Sequence, residues 1–225
     1  MPSGVRYFGP EFFAFLRDLE ANNTREWFAS EKARYERDVE APMRQFIADL
    51  AAPLRQISPR IRADPRRIGG SMFRIHRDTR FSPDKTPFKT HVAARFRHDA
   101  RGVDTAPGFY VHLAPADCFG GGGIYHTDPG ALRKIRTRIA EHPDQWRTVE
   151  RSGLEIQGES LKRAPLGFDA RDPHVEALKR KDHYVLDAYS ARDAGAPDFF
   201  DRYLATCERA APLVKFLSTA LGLAW

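Results

Sequence analysis

Apolar residues recur every three or four positions near both ends of the chain, which is the spacing of an amphipathic helix. A first helix is predicted to begin at Gly9-Pro10, because proline suits the first helical position. A second is predicted to begin at residues 23–26, where Asn-Thr-Arg-Glu resembles a capping box, and to bend or divide at Pro42. A last helix is predicted over residues 197–223, with a break at Pro212.

The middle of the chain instead alternates apolar and polar residues with the two-residue period of a β-strand. Such runs lie at residues 72–76, 91–97, 109–113, 118–125 and 183–189. The run at 118–125 is predicted to be broken by its four consecutive glycines. Because short links join most of these runs, an antiparallel arrangement is favoured. The predicted fold class is α+β, a mostly antiparallel sheet of about five strands covered by N-terminal and C-terminal helices.

Length and composition are those of one globular domain, expected over residues 1–225. A chain of 225 residues with 42% hydrophobic content and 16 phenylalanines can bury a full core. The first six residues lack the apolar run of a signal peptide, and no stretch is long enough to span a bilayer, so a cytoplasmic protein without membrane contact is expected. Cys118 and Cys207 are far apart and predict neither a disulfide framework nor a zinc site.

Positive charge is concentrated in one region of the chain. Residues 60–101 hold 12 of the 36 lysines and arginines and only four of the 30 acidic residues, so the excess behind a pI of about 9.5 lies here. Within this region, residues 73–90 combine charge with turn chemistry, since Ser82-Pro83-Asp84-Lys85 predicts a stiff type I turn. Guanidinium groups match the oxygens of carboxylates and phosphates, and lysines act as point charges. The stretch is therefore predicted to bind an anion.

The candidate ligand-binding residues all lie in this stretch: Arg74, His76, Arg77, Asp78, Arg80, Asp84, Lys85 and Lys89. The basic side chains would hold the anion, together with the basic faces of the strands at 72–76 and 91–97. Asp78 would hold one arginine in position, and His76 is the first candidate for a proton carrier if the protein is an enzyme. The same residues are also compatible with a solvated surface whose Arg–Asp pairs are structural.

Three functions fit these residues. The leading hypothesis is a pocket for a phosphate- or carboxylate-bearing small molecule. The alternative is a nucleic-acid-binding module, in which the same cations contact phosphates and Phe81, Phe88 or Tyr110 stacks on bases. The third is a protein-interaction domain, in which the charged cluster is structural and Trp27-Phe28 or the last helix contacts an unidentified protein partner.

Sequence motifs for other chemistry do not match. The glycine run is followed by Ile124-Tyr125, where a phosphate-binding P-loop needs Lys-Ser or Lys-Thr. His76-Arg77-Asp78 looks like part of a protein-kinase motif, but the residues that should accompany it are missing. The histidines, including His91, His112 and His126, lack the tight spacing of metal ligands. No metal is therefore predicted, no cofactor is identified, and no residue is assigned a catalytic role.

Several sequence blocks form a pattern that extends over nearly the whole chain. They are N-N-T-R-E-W-F at residues 22–28, R-D-T-R-F-S at 77–82, D-K-T-P-F-K at 84–89, G-G-I-Y at 122–125 and P-L-G-F-D at 165–169. In these blocks the chain resembles the bacterial family called domain of unknown function 2461 (DUF2461), a family of conserved hypothetical proteins. The resemblance implies a single DUF2461-like domain. The family has no established activity, so the resemblance implies no role for any residue.

Overall fold

The first quarter of the chain is helical, as its apolar spacing predicts. The computed structural model describes residues 4–100 and 106–225. Arg101, the last residue of the basic region, lies outside the described residues, as do the first three residues of the chain. Helix α1 spans Pro10–Ala21, α2 Arg25–Ser30, α3 Lys32–Tyr35 and α4 Ala41–Ile57.

The helical path does not end at Pro42. Between α3 and α4, Glu36–Glu40 form a π-helical turn, and Pro42 lies in the first turn of α4. Proline has no backbone N–H to donate into the helix, and the regular hydrogen-bond pattern shifts in the π turn directly before it. The predicted bend or division therefore takes the form of a local change in helix type.

The middle and end of the chain form the sheet and the helices that connect and follow its strands. The strands are β1 Val92–Arg97, β2 Gly108–Leu113, β3 Cys118–Ile124, β4 Ile156–Gln157 and β5 His183–Tyr189. The remaining helices are α5 Pro129–Glu141, α6 Pro143–Glu150, α7 Val175–Lys179, α8 Ala191–Ala194 and α9 Phe199–Ala220. Paired strands are antiparallel, in the order β1-β2-β3-β5-β4. The predicted α+β class is confirmed.

Helix α9 packs on one face of the sheet, across β3. At Gly122 a β-carbon would lie 2.8 Å from the Val214 side chain of α9, and at Gly120 it would lie 2.7 Å from the Tyr203 ring of the same helix. Strand β3 is continuous through its four glycines and pairs with a strand on each side, so the predicted break is wrong. Helix and strand approach too closely for side chains at these positions, which is why glycine is tolerated inside the strand.

The predicted break at Pro212 is also wrong. Helix α9 runs unbroken with Pro212 inside it. A proline removes one hydrogen bond and crowds the preceding turn, but Leu213 and Val214 directly after it are fully buried in the core. Burial of the apolar face contributes most of a helix's stability in a folded protein, so it outweighs the local loss.

Residues 72–76 follow the outer edge of β1 without forming a strand. Met72 pairs with Ala94 of β1 only as an isolated bridge. The chain then turns away from β1, and the Ile75 carbonyl accepts a hydrogen bond at 2.8 Å from the Lys89 N–H on the returning side of the loop. The predicted strand is wrong, because after Met72 this segment pairs with the returning side of its own loop and not with the sheet edge.

The core is one cluster of apolar side chains drawn from the helices and from the face of the sheet that meets α9. Trp146 of α6 and Tyr203 of α9 are among its largest fully buried side chains. Cys118 and Cys207 are buried free thiols. Within residues 4–100 and 106–225, none of the helices has both the length and the apolar character needed to cross a membrane.

Candidate functional site

The central loop, residues 77–86, is held in place by contacts among its own side chains. The Arg77 guanidinium donates to the Asp84 carboxylate and to the Thr86 hydroxyl. Asp84 also accepts a hydrogen bond from the Thr86 backbone N–H at 2.9 Å. These donors favour the ionised carboxyl, so the pKa of Asp84 falls to about 2, with the Thr86 N–H as the largest cause.

Arg80 and Asp78 form a second pair in the central loop. The guanidinium donates twice to the carboxylate, from Nε to Oδ1 at 2.9 Å and from Nη2 to Oδ2 at 2.7 Å. These hydrogen bonds lower the pKa of Asp78 to about 2. Lys85 Nζ donates to the Thr79 carbonyl at 2.9 Å. The charged groups of the loop therefore make contacts that fix its own shape, and the arginine paired with Asp78 is Arg80.

The other three predicted site residues lie at the base of the loop. Lys89 Nζ donates to the Arg74 carbonyl at 2.9 Å and lies 5.4 Å from the centre of the Phe73 ring. Burial, and then the charge of Arg74, lower the pKa of Lys89. The His76 ring packs against Phe88 with centroids 5.2 Å apart, and His76 and Arg74 line a small cavity of about 180 Å³. The eight residues do not converge on one pocket, and their role in ligand binding stays a prediction.

The small cavity is lined by charges of both signs. Arg67 donates to Glu36 at 2.7 Å and to Glu40 at 2.8 Å, and all three side chains line the cavity. Carboxylates this close to the cations repel an incoming anion. The cavity is therefore a poor match for the predicted anionic ligand.

A larger cavity, about 600 Å³ in volume, lies on the face of the sheet opposite α9, and we call it the sheet groove. Alternate residues of a strand face opposite sides, so Gly121 and Gly123 of β3 face away from α9. Gly121 is paired with Tyr110 of β2 and Leu186 of β5, and Tyr110 is paired with Arg95 of β1. Three glycines, Gly108, Gly122 and Gly123, are among the lining residues, so side chains rise around a strip of backbone.

Six phenylalanine and tyrosine residues line the sheet groove, and one of them, Phe109, is fully buried. The five with exposed or half-buried side chains are Phe73, Tyr110, Phe119, Tyr125 and Tyr184. The Tyr110 ring lies 6.3 Å from Phe73 and 5.8 Å from Phe119, measured between centroids. Tyr125 and Tyr184 form a second group, with centroids 5.8 Å apart. Aromatic walls of this kind offer flat faces on which a planar ligand can stack.

Arg95 supplies positive charge to the sheet groove. The side chain is half-buried, and its guanidinium donates to the Ala106 carbonyl. No aspartate or glutamate occurs among the described residues that line the groove. The described lining of the groove therefore combines a guanidinium with aromatic walls.

A row of titratable side chains continues from the groove across the same face of the sheet. Tyr110 Oη lies 3.2 Å from His112 Nδ1, and the His112 ring lies 4.3 Å from the His91 ring. Phe119 stacks on His112 with nearly parallel rings, 4.6 Å apart. Burial lowers the pKa of both histidines, that of His91 to about 4, and raises the pKa of Tyr110. At neutral pH the imidazoles are therefore neutral and the phenol keeps its proton.

The far end of the groove is shaped by the turn that follows β3. The buried Asp182 carboxylate accepts hydrogen bonds from the backbone N–H groups of His126 at 2.8 Å and Thr127 at 3.5 Å. His126 has a φ of 54°, a left-handed conformation that is uncommon for residues with a side chain. Asp182 therefore holds the turn that places Tyr125 and His126 at the groove.

Metal ligands do not gather around His91 and His112 in the part of the chain that the structure describes. His91 and His112 stack on each other, but no group of three histidine, cysteine, aspartate or glutamate side chains with the spacing of a metal site occurs among the described residues.

Comparison with known proteins identifies the family of the chain. A family model described as a conserved hypothetical protein (DUF2461) matches residues 11–216. The chain belongs to this family. The match covers nearly the whole chain and confirms the resemblance seen in the sequence blocks. No curated protein and no solved structure matches the chain.

The N-N-T-R-E-W-F block of this DUF2461 protein forms a structural corner. Thr24 is the N-cap of α2, and its hydroxyl accepts a hydrogen bond from the Trp27 N–H at 3.2 Å. The sequence predicts a capping box that begins at Asn23, but the N-cap is Thr24, one residue later. The Asn23 side chain makes a different contact. Its side-chain amide donates to the Phe88 carbonyl at 3.0 Å and accepts from the Phe88 N–H at 3.1 Å. Asn23 therefore ties the helical corner to the base of the central loop.

We expect Asn23→Ala to lower the free energy of unfolding by about 1–3 kcal/mol, because it leaves the N–H and C=O groups of the buried Phe88 without this partner. Asn22→Ala is the matched control. The Asn22 side chain makes an exposed hydrogen bond to the Asp18 carbonyl, so a loss below about 0.5 kcal/mol is expected. Urea unfolding followed by circular dichroism measures both variants. Equal losses would mean that the Asn23 contact with Phe88 adds nothing.

The sequence of this DUF2461 protein predicts some of the residues that line the sheet groove but not the others. It predicts a basic face for residues 91–97, which includes Arg95, and a stacking role for Tyr110, but it centres the site on the central loop. Phe119, Tyr125 and Tyr184 are missed. The available signal is the alternation in β2, where polar or aromatic residues face away from the buried ones. Which residues of β3 and β5 join them depends on strand register, which is not a local property.

Proposed function

We propose that this DUF2461 protein binds a small molecule that carries both a planar apolar group and a carboxylate or phosphate, and that it does so in the sheet groove. The observation that carries the proposal is one cavity that is lined both by aromatic side chains and by the Arg95 guanidinium. Its volume of about 600 Å³ also falls within the range of roughly 300–1,000 Å³ typical of small-molecule pockets.

Each part of the proposed ligand is complementary to a feature of the groove. Aromatic side chains favour offset or edge-to-face packing with a planar group. The forked donors of a guanidinium match carboxylate and phosphate oxygens, and a half-buried position strengthens that attraction relative to water. The ligand class is the one that the sequence predicts. The proposed site differs, because aromatic side chains and a guanidinium line one cavity at the sheet groove.

A single-stranded oligonucleotide is the second candidate, and the aromatic walls favour it because bases stack on such rings. Its affinity would depend on several phosphate contacts and would fall steeply with added salt. A small ligand with a single carboxylate or phosphate has one charged group to screen and would show a weaker salt dependence. Salt dependence therefore separates the two candidates.

We expect 2-naphthoate and phenyl phosphate to bind the protein, and Arg95→Gln to weaken their binding about tenfold or more. A hydrogen bond to a charged group contributes about 1.5–3 kcal/mol, and tenfold in affinity is about 1.4 kcal/mol. Arg97→Gln is the matched control, because Arg97 lies two residues along β1 and is not among the lining residues of the groove. Isothermal titration calorimetry gives the affinities, and amide chemical shifts give the location.

Two further arms make this experiment decisive. The neutral analogue 2-naphthalenemethanol tests the anion contact and should bind more weakly than 2-naphthoate. Melting temperatures of both arginine variants show whether Arg95→Gln, which also loses the contact to Ala106, still folds. Shifts confined to the central loop, or equal affinities for the two variants, would overturn the proposal. Binding seen only with oligonucleotides and removed by salt would favour the second candidate.

A further inference from the structure

We propose that the sheet groove is also a reaction site, in which Tyr110 removes a proton from a carbon next to a carbonyl group of the bound ligand and His112 accepts the phenol proton in turn. This inference rests on the proposed function, since it needs an anionic ligand in the groove. It adds a reaction class, proton transfer at carbon. It also replaces His76, the proton carrier suggested by the sequence, whose ring packs at the base of the central loop.

The first support is the geometry of the Tyr110–His112 pair. Tyr110 lines the groove, and its Oη lies 3.2 Å from His112 Nδ1. Phe119 stacks on the His112 ring at 4.6 Å with an interplanar angle of 6°, and this contact restricts rotation of the imidazole. A phenol at the ligand and an imidazole directly behind it are the parts that a two-step proton transfer needs.

The second support is the position of Arg95. Arg95 and Tyr110 are directly paired on β1 and β2, so their β-carbons are close neighbours on the groove face. A ligand carboxylate held by the guanidinium would present its adjacent atoms to the phenol. When a proton leaves a carbon next to a carbonyl, negative charge develops on the carbonyl oxygen, and a guanidinium nearby stabilises that charge.

The third support is the charge state of the groups around the pair. Burial lowers the pKa of His112, and the negative charge of Asp117 opposes part of that change. The neighbouring His91 is also neutral, with a pKa of about 4. Burial is the largest cause, and the charges of His112 and Lys89 act in the same direction. The His112 imidazole is therefore an unprotonated base at neutral pH, and Asp117 favours the imidazolium that forms when it takes a proton.

The proposed step moves two protons. The ligand C–H proton passes to Tyr110 Oη, and the phenol's own proton passes to His112 Nδ1, with His112 in its Nε2–H tautomer. The C–H electron pair remains on the ligand as an enolate, and the imidazolium carries the matching positive charge. Return of both protons regenerates the ligand, or yields its tautomer if a proton returns to the carbonyl oxygen instead. No oxidant, reductant or second substrate takes part.

Phenylpyruvate in D2O is a probe that carries all the required groups: an aromatic ring, a carboxylate and a methylene next to a carbonyl. We expect the protein to accelerate exchange of the methylene protons for deuterium above the protein-free rate, as followed by proton NMR. Tyr110→Phe should reduce the protein-dependent exchange rate about a hundredfold or more. Its dissociation constant for phenylpyruvate should stay close to that of the unmodified protein. Tyr189→Phe is the matched control, because Tyr189 of β5 bonds to Thr206 and lies outside the groove lining.

His112 acts through Tyr110, so its test needs a readout that a structural role would not change. In the unmodified protein the exchange rate should fall as pH drops through the pKa of His112, because the protonated imidazole cannot accept the phenol proton. His112→Gln should lower the rate and remove that dependence, without changing phenylpyruvate affinity. A pH dependence that persists in His112→Gln would overturn the role of His112.

The outcomes separate this inference from the proposed function. Binding of phenylpyruvate in the groove without accelerated exchange overturns the inference and leaves the proposed function in place. Exchange that is equal in Tyr110→Phe and the unmodified protein overturns the inference as well. Failure of phenylpyruvate, 2-naphthoate and phenyl phosphate to bind overturns both. Exchange that is lost in Tyr110→Phe and kept in Tyr189→Phe, with binding intact in both, supports the assignment.

Discussion

We expect Phe46→Ala to lower the free energy of unfolding by about 3–5 kcal/mol, the cost of removing a large aromatic side chain from a packed core. Phe46 of α4 is fully buried. Its ring centroid lies between 5.1 and 5.9 Å from five other rings: Tyr7, Phe8, Phe199, Phe200 and Tyr203. These rings belong to the chain before α1 and to α9. Phe46 is therefore where the N-terminal helices, α9 and the core meet.

The cavity left by Phe46→Ala cannot close easily, because the surrounding rings are anchored on separate segments. Phe81→Ala is the matched control: the substitution is the same, but Phe81 in the central loop is 93% exposed and a change below about 0.5 kcal/mol is expected. Urea unfolding gives both values, and an unchanged denaturant slope would show that only stability has changed. A loss below about 1 kcal/mol for Phe46→Ala would mean that the core can repack around the cavity.

The elements that follow from local sequence are found where the sequence predicts them. Strands at 92–97, 108–113 and 183–189 match the predicted runs to within one residue, because period-two alternation is a local property of half-buried strands. The continuous β3 and the unbroken α9 could not be predicted in this way. The glycines of β3 and Pro212 of α9 disfavour regular structure locally, and only the packing of α9 on β3 reverses that preference.

The candidate site shows the same division between local and long-range information. The positive charge at residues 73–90 is visible in the sequence, but the partners of that charge are not. Arg77 and Arg80 could face a ligand or an aspartate, and the structure pairs them with Asp84 and Asp78. The sheet groove depends on the register of four strands. No sequence window contains both Arg95 of β1 and Leu186 of β5, which both line that groove.

We expect Gly121→Ala to lower the free energy of unfolding by about 3 kcal/mol, because the added β-carbon clashes with backbone atoms of β5. A β-carbon at Gly121 of β3 would lie 1.8 Å from the Val185 carbonyl oxygen and 3.0 Å from the Leu186 Cα of β5. Both are backbone atoms, so the clash is relieved only by moving β5 away from β3. That movement weakens the pairing between the strands and shifts Leu186 and Tyr184, which line the sheet groove.

Gly130→Ala is the matched control for Gly121→Ala, because its β-carbon would have the Asp128 side chain as its nearest neighbour, at 3.2 Å in an exposed helix start. Alanine is the better helix former by about 1 kcal/mol, so this variant should stay within about 1 kcal/mol of the unmodified protein. Urea unfolding measures both, and amide hydrogen exchange should show faster exchange in β3 and β5 for Gly121→Ala. Stability and strand protection that survive Gly121→Ala would mean that the two strands can separate at little cost. The glycine would then be dispensable for the pairing that supports the groove.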